Sequence, residues 1–206
     1  MSQSLVQKLV AGHLVSGEPL PGQEIGLRMD QVLLTDTNGT MAWLQFEAMG
    51  FDRVKAETVV TYADHQVYQF DARNTEDHRY LQTASRRFGG YYSKPGNGIC
   101  HQVHLETFGA PGRTLLGTDS HTPLCGALGM LAIGAGGLDV ACVMGGSQSR
   151  VPPVRVVTLE VIGNDRRDCV LIAEKIVVPT ILTIHNPSSH PVYVGRAIGP
   201  GERASA

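Results

Sequence analysis

The sequence predicts an α/β protein, a layered sheet with flanking helices, ending in an irregular tail. Three observations carry this expectation. Short apolar or β-branched runs (24–34, 58–62 and 113–117) alternate with longer stretches of helix formers. The 24 glycines, many for a chain of 206 residues, mark tight turns and close backbone approach. Polar clusters stand where the runs stop, above all Thr118-Asp119-Ser120-His121-Thr122. Successive strand side chains alternate faces, so three adjacent polar groups fit a strand end better than a strand interior. The expected division is an α/β domain over 1–146 and a β-rich segment with its tail over 147–206.

Composition narrows the partners. Lys+Arg number 17 against 19 Asp+Glu, a net charge of -2, so no basic field recruits nucleic acid or an anionic membrane. The most apolar stretch, 124–146, is interrupted by glycines and Asp139 and does not read as a membrane span. The first residues (MSQSLVQK) show neither an apolar signal core nor an arginine-rich transit pattern, and a cytoplasmic protein is expected. Cys100, Cys125, Cys142 and Cys169 contain no C-x-x-C pair. They read as small buried hydrophobes rather than as a disulfide framework or a self-contained zinc site.

In chain order, Leu5, Leu9, Val10 and Leu14 recur at helical spacing over 4–14, and a turn-rich linker follows over 16–22. Residues 24–34 read as one strand entering the core. The polar loop 35–40 precedes a helix over 41–50 capped by Asn38 or Thr40, which makes a βα unit. Asp36 and Thr37 read equally well as ligand contacts or as turn chemistry. The strand 58–62 runs into Asp64-His65, a second place where a strand ends in a carboxylate beside an imidazole. A helix is expected over 75–87 with His78 on its solvated face, then a loop over 88–97. His101 and His104, three apart, could share a helical face, but with no third ligand nearby they do not make a metal site. Residues 126–137 read as a helix packed closely on the sheet through its glycines. Neither G-x-G-x-x-G nor a P-loop is present. In the tail, 154–162 reads as a strand, 170–184 as a helix and strand broken at Pro179, and 186–206 as loop.

At Gly96-Asn97-Gly98-Ile99-Cys100-His101-Gln102, at Leu116-Gly117-Thr118-Asp119-Ser120-His121-Thr122-Pro123 and at 133–141 (IGAGGLDVA), the chain resembles the aconitase superfamily. The likeness runs from the first helix to about Gly146. Thr-Asp-Ser-His-Thr-Pro followed by GAGG looks more like aconitate hydratase than isopropylmalate dehydratase, and 3-isopropylmalate or homoaconitate dehydratase is the alternative within the superfamily. The resemblance implies the first α/β domain of an iron–sulfur hydro-lyase of the tricarboxylic acid cycle, interconverting citrate and isocitrate through cis-aconitate. By position it implies a catalytic Asp-His pair in Asp64 and His65, and an active-site histidine in His101 working on the hydroxyl that leaves or adds. It further implies proton-transfer roles for Asp119 and His121 and a substrate contact for Ser120. Thr35 stands where the family usually carries a substrate-binding glutamine. A 4Fe–4S cluster is implied as cofactor, yet none of the four cysteines matches its ligand motifs. The missing domains of a full-length enzyme, with substrate-binding arginines and a catalytic serine, are the implied partners of this portion. The expectation is therefore an incomplete hydro-lyase for a small tricarboxylate, inactive by itself, or a non-catalytic remnant or binding module of the same fold. An RNA-binding relative would need a basic stripe that the charge balance does not supply.

Overall fold

A computed structural model of the chain describes residues 5–20, 23–151, 155–160, 180–185 and 192–193. A five-stranded, wholly parallel sheet lies at its centre. Its strands are β3 (Gln31–Thr35), β4 (Thr58–Tyr62), β5 (Tyr91–Ser93), β6 (Thr114–Gly117) and β7 (Leu131–Gly134), in the order β5-β4-β3-β6-β7. The chain steps outward from β3 to β4 and β5, then returns to the other side of β3 for β6 and β7. The direction of winding reverses between β3 and β6, and in such sheets the crevice beyond the strands' carboxyl ends at the reversal is where ligands bind. In register, Gln31 lies opposite both Thr58 and Leu115. Three neighbouring strands therefore end at nearly one level, each followed within two residues by an aspartate: Asp36, Asp64 and Asp119.

Among the described residues, five α-helices and one 3-10 helix cover the sheet. α1 (Leu5–His13), α2 (Asp36–Ala48), α3 (Ala72–Phe88) and α5 (Gly137–Met144) contribute to one apolar cluster. There the Trp43 ring lies 5.7 Å from Phe88 in a stacked arrangement and meets Phe46 edge-on at 5.4 Å. Its indole N–H donates to Thr61 Oγ1 at 3.0 Å, so the one polar atom of the largest buried side chain is satisfied. α4 (Cys100–Thr107) and the 3-10 helix (Thr122–Leu128) cover a second cluster built on Leu33, Val60, Tyr62 and Leu115. β3 feeds both faces, Val32 and Leu34 to one cluster and Leu33 to the other.

Several expectations are corrected here. The single strand over 24–34 is two strands in different sheets. β2 (Ile25–Leu27) pairs with β1 (Leu14–Ser16) and β8 (Ser149–Val151) in a small antiparallel sheet, and β3 begins only at Gln31. The break is fixed by buried Asp30, whose Oδ2 accepts the Thr114 N–H at 3.1 Å and meets His13 Nε2 at 2.9 Å. α2 starts at Asp36, before both expected caps, and Thr35 in the N-cap position makes no side-chain cap bond. α3 begins at Ala72 under an Asp71 cap that accepts the Asn74 N–H, and it ends at Gly89 with φ 89°. His78 lies in its buried stripe with Leu81, Ser85 and Phe88, not on a solvated face. The expected loop 88–97 contains β5. Residues 126–137 are not one helix: the 3-10 turns stop at Gly129 (φ 79°), β7 follows, and α5 starts only at Gly137.

In the tail, β9 (Arg155–Glu160) falls within the strand expected over 154–162 and runs parallel to β10 (Thr180–His185). β11 (Val192–Tyr193), antiparallel to β10, interrupts the expected loop. The expected helix over 170–179 lies outside the described residues, as does most of 186–206.

Candidate active site

Asp36 is the first residue beyond β3. Its carboxylate is wholly buried and accepts the main-chain N–H of His65 at 3.1 Å and of Gln66 at 2.8 Å, tying β3 to the turn after β4. Asp64, in that turn, accepts the Cys100 N–H at 2.7 Å through Oδ2 and meets His65 Nδ1 at 3.0 Å through Oδ1. Cys100 opens α4, so the carboxylate sits at the positive end of that helix.

Asp119 follows β6 and is 6% exposed. Its Oδ2 accepts the His121 N–H at 2.6 Å, and its carbonyl accepts the hydroxyl and the N–H of Thr122. A side chain at Gly117 would overlap that of Thr122, so the turn closes over a position with room only for glycine. Three imidazoles converge on the Asp119 carboxylate: His65 Nε2 at 3.6 Å, His101 Nδ1 at 3.4 Å and His121 Nδ1 at 3.7 Å. The His101 and His121 rings stack with centroids 5.1 Å apart. Ser120 Oγ, at the exposed rim, is 3.2 Å from His121 Nδ1. Thr35 is buried in the floor between β3 and β6, its N–H donating to Thr118 Oγ1 at 3.0 Å and its hydroxyl 2.8 Å from Thr37 Oγ1. Asp64, His65, His101, Asp119, Ser120 and His121 thus share one cleft, with Thr35 beneath it. Asp36, which the sequence left equally open to ligand contact and to turn chemistry, spends both oxygens on the main chain of the His65 turn, and His78 lies buried behind it.

Among the described residues, the ion-pair partners of Asp36, Asp64 and Asp119 are all imidazoles. An ion pair to arginine persists at any ordinary pH, whereas one to imidazole exists only while the ring is protonated. Burial works against a charge on His65, but the Asp64 hydrogen bond and the carboxylates of Asp64, Asp36 and Asp119 raise its pKa above the ordinary value. His101 goes the other way. Burial outweighs Asp119, His121 adds to the effect, and its pKa is lowered. Neighbouring groups pushed apart in this manner divide into one that keeps a proton and one that does without.

The described cysteines do not fit a 4Fe–4S cluster, which takes thiolates converging on one point. Burial pushes the Cys100 thiol up, helped by Asp64, and pushes Cys125 up to about 11. Cys142, on α5, places its Sγ 3.7 Å from Met49 Sδ, away from both. Cys169 lies outside the described residues. Two other groups, Cys100–His101–Asp119 and Asp36–Asp64–His65, each bring three ligand-type atoms within 4.8 Å. In the first the thiol is held protonated, and in the second both Asp36 oxygens already accept main-chain N–H groups.

His104 does not join His101. It is fully buried, with Nδ1 3.0 Å from the Tyr62 hydroxyl and Nε2 3.0 Å from Gln31 Oε1, and burial lowers its pKa to about 4. The unfolded chain takes up this proton below pH about 6.5 and the folded chain only near 4, so stability falls with acidity across that window. His104→Gln is expected to lose about 2 kcal/mol less than the parent between pH 7.5 and pH 5, measured by urea unfolding.

Imidazoles are thus gathered on a buried carboxylate at the switch point of a doubly wound parallel sheet. A profile of the aconitase family (aconitate hydratase) matches residues 7–170, and the chain belongs to that family. Among its relatives, the probable mitochondrial aconitate hydratase of Dictyostelium discoideum is 33% identical over 176 residues, 78% of this chain and 22% of the relative. The mitochondrial aconitate hydratase of Saccharomyces cerevisiae is 34% identical over 175 residues, 77% of this chain and 22% of the relative. The mitochondrial homocitrate dehydratase of the same yeast is 31% identical over 181 residues, 78% of this chain and 23% of the relative. The chain thus spans about a fifth of the length of these relatives. Their mitochondrial names overturn the expectation of a cytoplasmic protein. Among the described residues no helix is long and apolar enough to cross a membrane.

Proposed function

We propose that the cleft is the proton-transfer side of an aconitase-type hydro-lyase centre acting on a small hydroxy-tricarboxylate such as citrate or isocitrate. The observation that carries this reading is the gathering of His65, His101 and His121 on Asp119 at the switch point. Dehydration breaks a carbon–oxygen and a carbon–hydrogen bond, so it needs a proton for the departing hydroxyl and a base for the carbon-bound proton. The residues gathered here serve the first, and the second falls to the catalytic serine of the partner domains that the family resemblance implies. His65 is the donor: both its nitrogens face carboxylates, which favours the imidazolium. In the hydration direction it takes the proton back from the water that adds. His101, held neutral, orients the same oxygen while Asp119 fixes its ring. Ser120 and His121 at the rim meet a substrate carboxylate. The cluster implied by the family resemblance supplies a Lewis acid for that hydroxyl when present. The described cysteines offer it no seat, and none of the steps above depends on it.

That misfit favours a second reading, a binding module that keeps the fold without turnover. The two are separated by titrating the chain with citrate, isocitrate, cis-aconitate and homocitrate while following the histidine ring protons by NMR, with cis-aconitate hydration assayed alongside. The hydro-lyase reading expects saturable shifts at His65, His101 and His121 and none at His13 or His104, abolished by His101→Ala. Any cis-aconitate hydration, with or without anaerobic supply of iron and sulfide, rules out the binding module. Equal responses at all histidines, or none, overturn both.

A further inference from the structure

We propose that Asp36 and His78 form a buried positioning pair behind the cleft, which holds the Asp64–His65 turn in place and tunes the proton on His65. From the proposed function this takes only the premise that His65 works on substrate. The Asp36 carboxylate has no exposed surface and uses both oxygens on consecutive main-chain amides of the turn, His65 through Oδ1 and Gln66 through Oδ2. Its Oδ1 is also 3.8 Å from His65 Nδ1. Asp36 therefore holds the backbone under His65 and adds a second carboxylate to the one that Asp64 presents to the ring.

His78 stands behind this carboxylate on α3. Its side chain is 5% exposed, and its Nε2 is 3.5 Å from Asp36 Oδ2 with no hydrogen-bond partner. The Gln69 amide donates to Nδ1 at 2.8 Å, which leaves the ring hydrogen on Nε2, facing Asp36. A buried N–H with no acceptor other than a carboxylate just beyond bonding distance is a contact that a small movement of α3 completes. The start of α3 is laced to the same segment: Asn74 Nδ2 donates to Gln66 Oε1 at 2.9 Å, and Thr75 Oγ1 donates to Gln69 Oε1 at 3.0 Å. The charged groups facing His65 are Asp64 from its own turn, Asp36 from α2 and Asp119 from the turn after β6, and the group facing His78 is Asp36.

The test is amide hydrogen exchange and histidine pH titration by NMR on Asp36→Asn, His78→Leu and His78→Gln, without substrate. Asp36→Asn is expected to speed exchange of the Gln66 amide by about tenfold or more and to lower the His65 pKa, with β6 and α5 amides protected as in the parent. His78→Leu is expected to speed the same amides. His78→Gln, which keeps an N–H toward Asp36, restores them to within about twofold of the parent. If Asp36→Asn fails to fold, the two His78 variants decide the matter. An unchanged His65 pKa in a folded Asp36→Asn, or equal behaviour of His78→Leu and His78→Gln, overturns the pair. Because no substrate enters, failure here leaves the hydro-lyase reading standing, and failure of that reading leaves this pair testable.

Discussion

Asp119→Asn is expected to release the three imidazoles from their common partner. The substitution keeps the shape but removes the charge that accepts the His121 N–H at 2.6 Å and faces His65, His101 and His121. Charge-assisted hydrogen bonds of this kind contribute about 1.5–3 kcal/mol, and a loss of that size is expected on urea unfolding at pH 6. The pH dependence carries a sign. His65, with its folded pKa raised, contributes stability that is fully present below pH about 6.5 and lost as pH rises through the folded value. The gap between parent and variant is therefore widest in mild acid and narrows in alkali. His65 is about one-third exposed, so water screens its share and the His121 hydrogen bond carries more of the difference. By NMR titration, His65 is expected to lose its proton at lower pH than in the parent, and the already lowered His101 lower still. Unchanged titration of both rings would sink the account of the cleft given above.

Trp43→Ala is expected to be the most damaging change outside the cleft. The ring is fully buried, stacks on Phe88, meets Phe46 edge-on and satisfies its N–H at Thr61. Truncating a large buried aromatic typically costs about 3–5 kcal/mol. Unfolding followed by circular dichroism checks this, since the change removes the sole tryptophan and its fluorescence. Trp43→Phe is expected to lie between, keeping much of the packing but leaving Thr61 Oγ1 without the indole donor.

The elements that could be read directly were those exposing a contrast. Thr58–Tyr62 announces itself by β-branching, and Asp64-His65 and Asp119-Ser120-His121 stand out because polar groups abruptly follow apolar runs. β3 gave no such contrast. All five of its residues are buried, so it lacks alternation and merged with β2 upstream. Residues 126–137 misled for a related reason: a short buried strand and a helix segment look alike when every residue is small or apolar. His78 was obscured by Glu76, Asp77 and Arg79, which suggested a wet surface although the ring belongs to the buried stripe of α3. His104 matched the spacing of a ligand pair, and only the tertiary contacts to Tyr62 and Gln31 show that it faces the core.

The position of β3 also bears on how the chain reaches its folded state. The strand lies early in the polypeptide, yet one of its two neighbours, Thr114–Gly117, emerges from synthesis much later. Until then β3 has an unsatisfied edge and half of a ligand crevice, a state prone to sticking to other chains. Assembly that depends on such distant pairing is slow, so the yield of folded material is governed by protection of this intermediate as well as by final stability.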